Sequence, residues 1–254
     1  MTATTKTVLV TGAAHRIGRI IATEMARDGW SVGVHFNASG DAADALCREI
    51  VDAGGRASAV QADLASEGDV QALMGKTVQA LGPVGCLINN ASVFENDTVA
   101  TSTRESWDRH MEVNLRAPFV LTQAFADQLG DEGEGNVINI IDQRVFSLTP
   151  YFTSYTLSKA GLWTLTQTLA QALAPRIRVN AIGPGPTLPS VRQSEADFRR
   201  QWEAMPLARP VDPQEIAHAI RFILDAQAMT GQMIALDSGQ HLGWAPDPGS
   251  DQRE

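Results

Sequence analysis

The sequence predicts an α/β fold in which one doubly wound parallel sheet of about seven strands is covered by helices on both faces. Two features of the chain lead to this fold class. Short β-branched apolar runs alternate with amphipathic stretches of helical period, and several of the runs lack the polar alternation of half-exposed strands. Strands that alternate with helices form right-handed crossovers, and such crossovers produce a parallel sheet.

Each expected strand is an apolar run that ends at a turn, and each expected helix is an amphipathic segment. We expect strands at residues 7–10, 31–36, 57–61, 84–89, 136–141, 178–181 and 232–236. We expect helices at residues 17–27, 41–53, 67–81, about 106–129, about 153–173 and 213–226. Asp212 and Pro213 are the cap and the first residue of the last helix.

The composition is that of one globular domain, which we place at residues 1–243. Of 254 residues, 44% are hydrophobic and 19% are charged, and the net charge is -9 without a long basic run. A nucleic-acid partner or an anionic membrane surface is therefore not expected. Cys47 and Cys86 are expected to be free thiols. The start of the chain fits neither a signal peptide nor a membrane span, so we expect a cytoplasmic protein.

Residues 140–161 carry the strongest candidate for acid-base chemistry. Tyr155 precedes Lys159 by one helical turn, so the two side chains share a helix face. A neighbouring cation favours the phenolate form of tyrosine, which suits a proton donor or acceptor. Asp142 stands at the end of the preceding apolar run. We therefore expect Tyr155, Lys159 and Asp142 to lie together.

Two segments are expected to lie outside the regular sheet and helix pattern. Residues 183–207 contain four prolines around an amphipathic patch, at residues 195–204, and long loops of this kind often cover binding sites. We expect this loop to shape the substrate site. Residues 244–254 have the composition of a disordered tail.

The turn after the first strand has the features of a phosphate-binding turn. Gly12 and Gly18 let the backbone approach a pyrophosphate, while Arg16 and Ile17 stand at the start of the first helix. The helix N-terminus supplies free N–H groups and the positive end of the helix dipole. An ordinary turn between a strand and a helix would have a similar sequence, so further signals are needed.

Those signals lie where other strands end, at the same edge of the sheet. In open α/β sheets this edge binds the ligand, and Asp63 is placed there to accept a hydrogen bond from an adenine amino group. The residues expected at this edge are Asp63, Leu64, Asn90, Ala91, Ser92, Pro184 and Gly185. Together they predict one nucleotide-shaped site.

The end of the second strand indicates which nucleotide binds. An enzyme specific for NAD commonly has an acidic residue here, whereas this chain has His35, Phe36, Asn37 and Ser39. Arg16 in the neighbouring turn would face a 2′-phosphate. We therefore expect NADPH (NADP+) as the cofactor.

Taken together, these segments resemble the short-chain dehydrogenase/reductase family over nearly the whole chain. The resemblance implies a Rossmann-like sheet, hydride transfer at a nicotinamide, and a homotetramer. It further implies that Tyr155 is the acid or base, that Lys159 binds the ribose, and that Asn114 belongs to a proton relay. The matching features are the glycine turn, Asp63, the Asn-Asn-Ala run, Asn114, Tyr155 with Lys159, and the segments at residues 180–185 and 230–239.

Two departures from the common family pattern are similar to pteridine reductases. Arg16 replaces the middle glycine, and Asp142 replaces the usual serine thirteen positions before the tyrosine. By that resemblance Phe94 sandwiches a pterin ring against the nicotinamide, and Arg16 and Ser92 contact both cofactor and substrate. Asp142 would pass a proton to Tyr155. Ala38 departs from members that have a basic residue near this position.

The aspartate also has a chemical meaning that does not depend on the family. A serine hydroxyl donates a hydrogen bond to a ketone oxygen, whereas a carboxylate only accepts and repels a developing alkoxide. Asp142 therefore favours a nitrogen heterocycle over a simple ketone as substrate. The resulting hypothesis is a reductase of a dihydropterin or dihydrofolate.

Two alternatives remain open at this point. One is a carbonyl or sugar-alcohol dehydrogenase that tolerates the aspartate. The other is a nucleotide-binding regulator with a decayed active site, which the presence of Tyr155, Lys159 and Asn114 disfavours.

No histidine has a second ligand at metal spacing, so no metal site is expected. His110 and the tryptophans on helices are expected to pack structurally, and His241 is expected to be structural.

Overall fold

The computed structural model describes residues 5–190 and 192–243 of the chain. Seven strands alternate with helices along this part of the sequence. The strands are β1 (Thr7–Val10), β2 (Ser31–Phe36), β3 (Arg56–Gln61), β4 (Cys86–Asn89), β5 (Gly135–Ile140), β6 (Ile177–Pro184) and β7 (Met233–Leu236). All neighbouring strands pair in parallel, in the order β3-β2-β1-β4-β5-β6-β7. The predicted fold class is confirmed.

Eight α-helices are found in the described residues, together with three shorter helical segments. The α-helices are α1 (Arg16–Arg27), α2 (Gly40–Asp52), α3 (Glu67–Leu81), α4 (Arg104–Met111), α5 (Ala117–Leu129), α6 (Thr153–Leu173), α7 (Glu195–Glu203) and α8 (Pro213–Asp225). The shorter segments are a π-helix at Glu112–Arg116 and 3-10 turns at Gln143–Val145 and Gln240–Leu242.

The sheet is buried between two helical layers. Apolar side chains of α1, α2 and α8 pack on one face, and those of α3, α5 and α6 pack on the other. Because both faces are covered, the central strands are mostly apolar, and every residue of β1 and β4 is buried. The strand order reverses between β1 and β4, and ligands bind at such a switch point in open α/β sheets.

The long helix expected at about residues 106–129 is present as an unbroken helical segment that ends at Leu129, but it is not α-helical throughout. The segment begins earlier, at Arg104, and the π-helix separates α4 from α5. A π-helix inserts an extra residue into one turn, and the hydrophobic period of 3.6 residues does not reveal that insertion. Asn114 lies in this irregular turn and is fully buried.

Strand β6 is longer than predicted, since it reaches Pro184 instead of ending at residue 181. Gly183 and Pro184 pair with Ala235 and Leu236 of β7, so the sheet continues into the start of the segment expected to be a loop. The amphipathic patch of that segment forms α7, which Ser194 caps. The expected tail at residues 244–254 lies outside the described residues.

The described helices include none that is long and apolar enough to cross a bilayer. Within residues 5–190 and 192–243 there is likewise no group of three or more histidine, cysteine, aspartate or glutamate side chains with the geometry of a metal site.

Candidate active site

The glycine turn after β1 is packed too tightly for larger residues. Gly12 has a φ of 63°, in the left-handed region that favours glycine. A Cβ at Gly18 would lie 2.2 Å from the Gly12 carbonyl oxygen and 2.6 Å from Asn90 Nδ2. Asn90 Nδ2 also donates a 2.8 Å hydrogen bond to the Thr11 carbonyl oxygen. The end of β4 therefore fixes the shape of the turn at the N-terminus of α1.

His35 supports this turn from beneath. Its ring is buried, Nδ1 accepts a 2.9 Å hydrogen bond from the Gly12 N–H, and Nε2 lies 3.1 Å from the Ala62 carbonyl oxygen. Burial lowers the pKa of His35 from 6.5 to about 4, so the ring is neutral and Nε2 is the donor. Both ring nitrogens are thus used by backbone groups. His35 shapes the cofactor turn, which differs from the direct contact expected from the sequence.

Arg16 replaces a family glycine and keeps the glycine-like backbone, with a φ of 52°. This conformation costs a non-glycine residue free energy. Its guanidinium donates hydrogen bonds to the carbonyl oxygens of Pro189 at 2.8 Å and Leu188 at 3.2 Å. Arg16 therefore joins the glycine turn to the expected substrate loop.

The residues expected around the adenine and its ribose lie at the ends of β2 and β3. Asp63 is exposed and its Oδ1 accepts hydrogen bonds from Ala65 N at 3.0 Å and Asn37 Nδ2 at 3.5 Å. Leu64 packs into the core, and Ser39 occupies the N-cap position of α2. Asp63, Asn37 and Ser39 thus flank the same end of the sheet, as expected.

Tyr155, Asp142 and Lys159 are brought together as predicted. The Tyr155 hydroxyl donates a 2.8 Å hydrogen bond to Asp142 Oδ2. The other oxygen of the Asp142 carboxylate, Oδ1, accepts a 2.7 Å hydrogen bond from Arg144 N. Lys159 Nζ lies 5.8 Å from the centre of the Tyr155 ring and donates to the Ile140 carbonyl oxygen at 2.9 Å. Lys159 is buried, and that burial lowers its pKa from 10.5 to about 8, against the opposing effect of Asp142.

The Asn114 side chain fixes the segment that follows β4. Its Oδ1 accepts hydrogen bonds from Val93 N at 2.8 Å and Ser92 Oγ at 3.3 Å. Its Nδ2 donates to Val93 O at 2.9 Å and Ser158 Oγ at 3.0 Å. These contacts tie Ser92 to the helix that carries Tyr155. These four contacts show a structural role for the Asn114 side chain. None of them shows proton transfer, so the relay role expected for Asn114 stays a prediction.

Phe94 lies beside Tyr155 in an aromatic cluster. Its ring is stacked on Phe152 with centroids 4.5 Å apart, and it meets the Tyr155 ring edge to face at 4.7 Å. The Arg192 guanidinium lies 5.5 Å from the centre of the Phe94 ring and donates to the Phe94 carbonyl oxygen at 2.7 Å. Phe94 thus lies beside Tyr155, its expected sandwich of a pterin ring against the nicotinamide stays a prediction, and Arg192 is a neighbour that the sequence did not indicate.

A cleft with a volume of about 220 Å³ joins these groups. Gly185 closes it on one side, where a Cβ would lie 2.8 Å from Asp237 Cα. The predicted residues that line the cleft are Arg16, Ile17, Asn90, Ser92, Phe94, Asp142, Tyr155, Lys159, Pro184 and Gly185. Among the other lining residues, Gln143, Arg144 and Gln240 lie outside the expected substrate loop and were not predicted as site residues. Gln143 and Arg144 directly follow Asp142, so the strand-end rule could have indicated them.

The structural roles expected for two histidines agree with their contacts. His110 is fully buried, with Nδ1 at 2.7 Å from Ser106 O and Nε2 accepting from Glu95 N at 3.2 Å. His241 Nδ1 lies 2.6 Å from Asp237 Oδ2. Trp107 is 37% exposed and so lies outside the core of the single chain, and packing at an interface stays a prediction for it.

The arrangement suits proton transfer beside a bound dinucleotide. The Tyr155 hydroxyl donates a hydrogen bond to the Asp142 carboxylate, and the buried Lys159 ammonium lies 5.8 Å from the centre of the tyrosine ring. The glycine turn leads into the N-terminus of α1, where free backbone N–H groups can bind a pyrophosphate.

Comparison with known proteins places this geometry in a family. The family model for short chain dehydrogenase matches residues 6–200. The crystal structure of FolM alternative dihydrofolate reductase 1 from Brucella canis, complexed with NADP, is 48% identical, with a TM-score of 0.93 over 97% of this chain and 98% of that chain. The Brucella suis FolM structure, also with NADP, is 49% identical, with a TM-score of 0.92 and the same coverage.

A curated relative has a different described activity. The 3-oxoacyl-[acyl-carrier-protein] reductase FabG of Staphylococcus epidermidis (strain ATCC 35984) is 31% identical over 242 residues, which is 93% of this chain and 99% of the relative. The two FolM structures support the resemblance to the pteridine reductase-like subgroup. The chain therefore belongs to the short-chain dehydrogenase/reductase family of oxidoreductases.

Proposed function

We propose that this protein is an NADPH-dependent reductase of a pterin-type heterocycle, such as a dihydropterin or dihydrofolate. The observation that carries the proposal is the 2.8 Å hydrogen bond from the Tyr155 hydroxyl to Asp142 Oδ2, in a cleft that Phe94 also lines. The pair holds a proton at the place where an oxidoreductase of this family needs one. The carboxylate then selects which substrates fit.

Asp142 favours a ring nitrogen over a ketone oxygen. A ketone that accepts hydride develops negative charge on oxygen, and a carboxylate beside it offers no hydrogen bond donor unless it is protonated. A heterocycle with N–H groups donates to the carboxylate and takes a proton from Tyr155. The pair thus supplies the proton that completes reduction of a C=N bond.

The residues that would hold NADPH fit that cofactor. The glycine turn would receive the pyrophosphate, Asp63 the adenine and Lys159 the ribose. Arg16 would meet the 2′-phosphate only if its guanidinium left the carbonyl oxygens of Pro189 and Leu188. When bound, the cofactor supplies the hydride. His35 keeps the turn in shape, and no carboxylate stands at the end of β2 to repel a phosphate. The FolM structures, which contain NADP by description, support this assignment.

The substrate ring would lie in the cleft against Phe94. Arg16 and Ser92 would contact both substrate and cofactor, and residues 183–207 would cover the ring, as the bonds of Arg16 to Leu188 and Pro189 favour. The domain at residues 1–243 would assemble as a homotetramer, with α5 and α6 as the contact helices. Asn114 would serve the proton relay.

A second candidate is a reductase of a 3-oxoacyl thioester. The described activity of the Staphylococcus epidermidis relative favours it. The aspartate at position 142 counts against it, because that substrate is a ketone.

The deciding experiment is a substrate screen with NADPH and NADH in parallel. Oxidised biopterin, dihydrofolate, small ketones and a 3-oxoacyl thioester are offered to the purified protein, and oxidation of the cofactor is followed by its absorbance. The proposal requires turnover of a pterin or dihydrofolate with preference for NADPH. Faster reduction of the ketones or the thioester would replace the pterin assignment. Tight NADPH binding without turnover of any substrate would indicate a regulator.

A further inference from the structure

The helix that carries Tyr155 begins without a side-chain cap from the residue before it. Tyr155 is the third residue of α6, so it lies in the first turn, where backbone N–H groups have no partner within the helix. The residue before the helix, Phe152, has an apolar side chain and a left-handed backbone, with a φ of 58°. By contrast, α4, α7 and α8 are capped by the residues that precede them, namely Thr103, Ser194 and Asp212.

The missing cap is supplied by Asp97, which follows β4 and lies 57 residues before Ser154 in the sequence. Asp97 Oδ1 accepts a 2.9 Å hydrogen bond from Ser154 N, and Oδ2 accepts one of 2.5 Å from Ser154 Oγ. The Asp97 backbone carbonyl oxygen accepts from Thr153 N at 3.1 Å. Asn96 Oδ1 accepts from Phe152 N at 3.3 Å. Two neighbouring residues of one segment thus bind three consecutive N–H groups at the start of α6.

The Asp97 carboxylate is buried and ionised. Asp97 is only 3% exposed, and its Oδ2 also accepts a 3.0 Å hydrogen bond from Ser106 Oγ. Burial raises the pKa of this carboxyl, but the hydrogen bonds from Ser154 and from neighbouring hydroxyl groups outweigh burial and hold the pKa below its ordinary value. The positive end of the helix dipole also favours a carboxylate at this place. Asp97 therefore accepts these bonds in its charged form at neutral pH.

The segment that carries Asp97 is fixed by groups outside the first turn of α6. Asn114 bonds to both backbone groups of the residue before Phe94, and His110 Nε2 accepts from the N–H of the residue after it. Loss of the Asp97 carboxylate would therefore free the first turn of α6 more than it would move Phe94.

The position of this turn matters because Tyr155 must meet its partners closely. The Tyr155 hydroxyl lies 2.8 Å from Asp142 Oδ2. A misplacement of about 1 Å can lower a rate by ~10²-fold. Among the described residues that line the cleft, Asp97 is not included, so its carboxylate acts through the helix and not on the substrate.

We propose that Asp97 is a positioning residue, which caps α6 from a remote segment and thereby holds the Tyr155 hydroxyl where proton transfer requires it. This inference rests on the proposed reductase function, with Tyr155 as the proton donor. It applies to whichever of the candidate substrates the wild type reduces.

The test compares the wild type with Asp97→Ala, Asp97→Asn and Asp212→Ala. The substrate is dihydrobiopterin, or the ketone or thioester if the wild type reduces that faster, and kcat is expressed per NADPH-binding site so that unfolded protein is not counted. Asparagine keeps the size of the side chain and caps helices about as well as aspartate. Asp212→Ala is the matched control, since it removes the aspartate that caps α8 outside the cleft.

We expect kcat to fall ~10-fold in Asp97→Ala and to stay within ~3-fold of the wild type in Asp97→Asn. Asp212→Ala should keep the wild-type kcat, although both alanine variants should melt at a lower temperature. The substrate KM and the NADPH Kd should change less than kcat, because Phe94 and the glycine turn remain held. The solvent deuterium isotope effect on kcat should increase in Asp97→Ala alone, since proton transfer from a misplaced Tyr155 then limits the rate.

Three outcomes would overturn the inference while leaving the reductase function in place. They are an unchanged kcat per site in Asp97→Ala, an equal loss in Asp212→Ala, and a loss in Asp97→Asn as large as that in Asp97→Ala. If Asp97→Ala does not fold, Ser154→Ala, which removes one of the bonds to Asp97, decides instead. Its kcat should fall ~3-fold with a larger isotope effect, and unchanged values would count against the inference. A wild type that reduces none of the substrates would overturn both proposals.

Discussion

The Tyr155 hydroxyl donates a 2.8 Å hydrogen bond to Asp142 Oδ2, which joins the first turns of α6 to the end of β5. Two residues joined by such a hydrogen bond can act as one unit in proton transfer, because loss of either removes the path of the proton. We propose that this pair is catalytic, so that the chemistry of the aspartate limits the substrates that the tyrosine can serve.

The Tyr155→Phe variant should lose pterin reduction by ~10²-fold or more, since phenylalanine has no proton to transfer. The NADPH Kd and the melting temperature should change little, because the ring and its packing on Phe94 remain. Steady-state kinetics and cofactor fluorescence measure these quantities. A variant that keeps more than a tenth of wild-type turnover would show that another group supplies the proton.

The rate should depend on pH through Lys159. Its pKa is lowered to about 8 by burial, so the ammonium beneath Tyr155 is lost as the pH rises through that value. We expect kcat/KM, which reports groups of the free enzyme, to fall above pH 8. A flat profile from pH 7 to about 10 would contradict this role for Lys159.

Unfolding does not explain that expected fall in rate. Between pH 8 and 10.5 the unfolded chain holds the proton that folded Lys159 has released. The contribution of Lys159 to the free energy of unfolding therefore rises with pH in this window. Denaturant titrations at both ends of the window measure this change in stability and so separate it from the fall in rate.

His35 should make the fold sensitive to acid. Its folded pKa is about 4 instead of 6.5, so the unfolded chain binds a proton that the folded chain excludes between these values. The stability that the neutral ring contributes is present above pH 6.5 and is lost as the pH falls toward 4, by up to about 3 kcal/mol.

The measurement for His35 is the free energy of unfolding of the wild type, His35→Gln and His218→Gln across that pH range. His218 is exposed on α8 and serves as the control. Titration of the carboxylates lowers the stability of all three proteins as the pH falls. The wild type and the His218 variant should lose stability more steeply than His35→Gln, because only they contain the His35 ring. Parallel curves for all three proteins would contradict the account of His35.

Arg16 should control the choice of cofactor. Arg16→Ala removes the guanidinium expected to meet the 2′-phosphate, so the KM for NADPH should rise ~10- to 100-fold while that for NADH changes less. The substrate KM should rise as well, because the bonds from Arg16 to Leu188 and Pro189 are lost. Arg19→Ala is the control, since Arg19 pairs with Glu49 on the surface. Equal changes for both cofactors would contradict the phosphate contact.

The sequence was sufficient for the fold and for the centre of the site, because these depend on periodic patterns and on a motif. Tyr155 and Lys159 share a helix face by spacing alone, and Asp142 follows from the end of a strand. The π-helix around Asn114 could not be predicted, since an inserted residue leaves the apolar pattern almost unchanged.

Other features depend on contacts between segments far apart in the chain. The supporting role of His35 arises because Gly12 and Ala62 reach its two ring nitrogens from different strands. Gln240 carries no local signal, and only the packing of its turn against that of Gln143 brings it to the cleft. Such pairings become visible in three dimensions only.

The central claim is that Asp142 directs the chemistry toward a pterin. The most direct measurement is the ratio of kcat/KM for dihydrobiopterin to that for a 3-oxoacyl thioester, in the wild type and in Asp142→Ser. We predict that the wild type favours the pterin and that the serine variant lowers this ratio by ~10²-fold or more. The ratio falls because the variant loses pterin reduction and gains a hydrogen-bond donor for the ketone oxygen. A wild type that favours the ketone, with a ratio that the substitution leaves unchanged, would contradict the account.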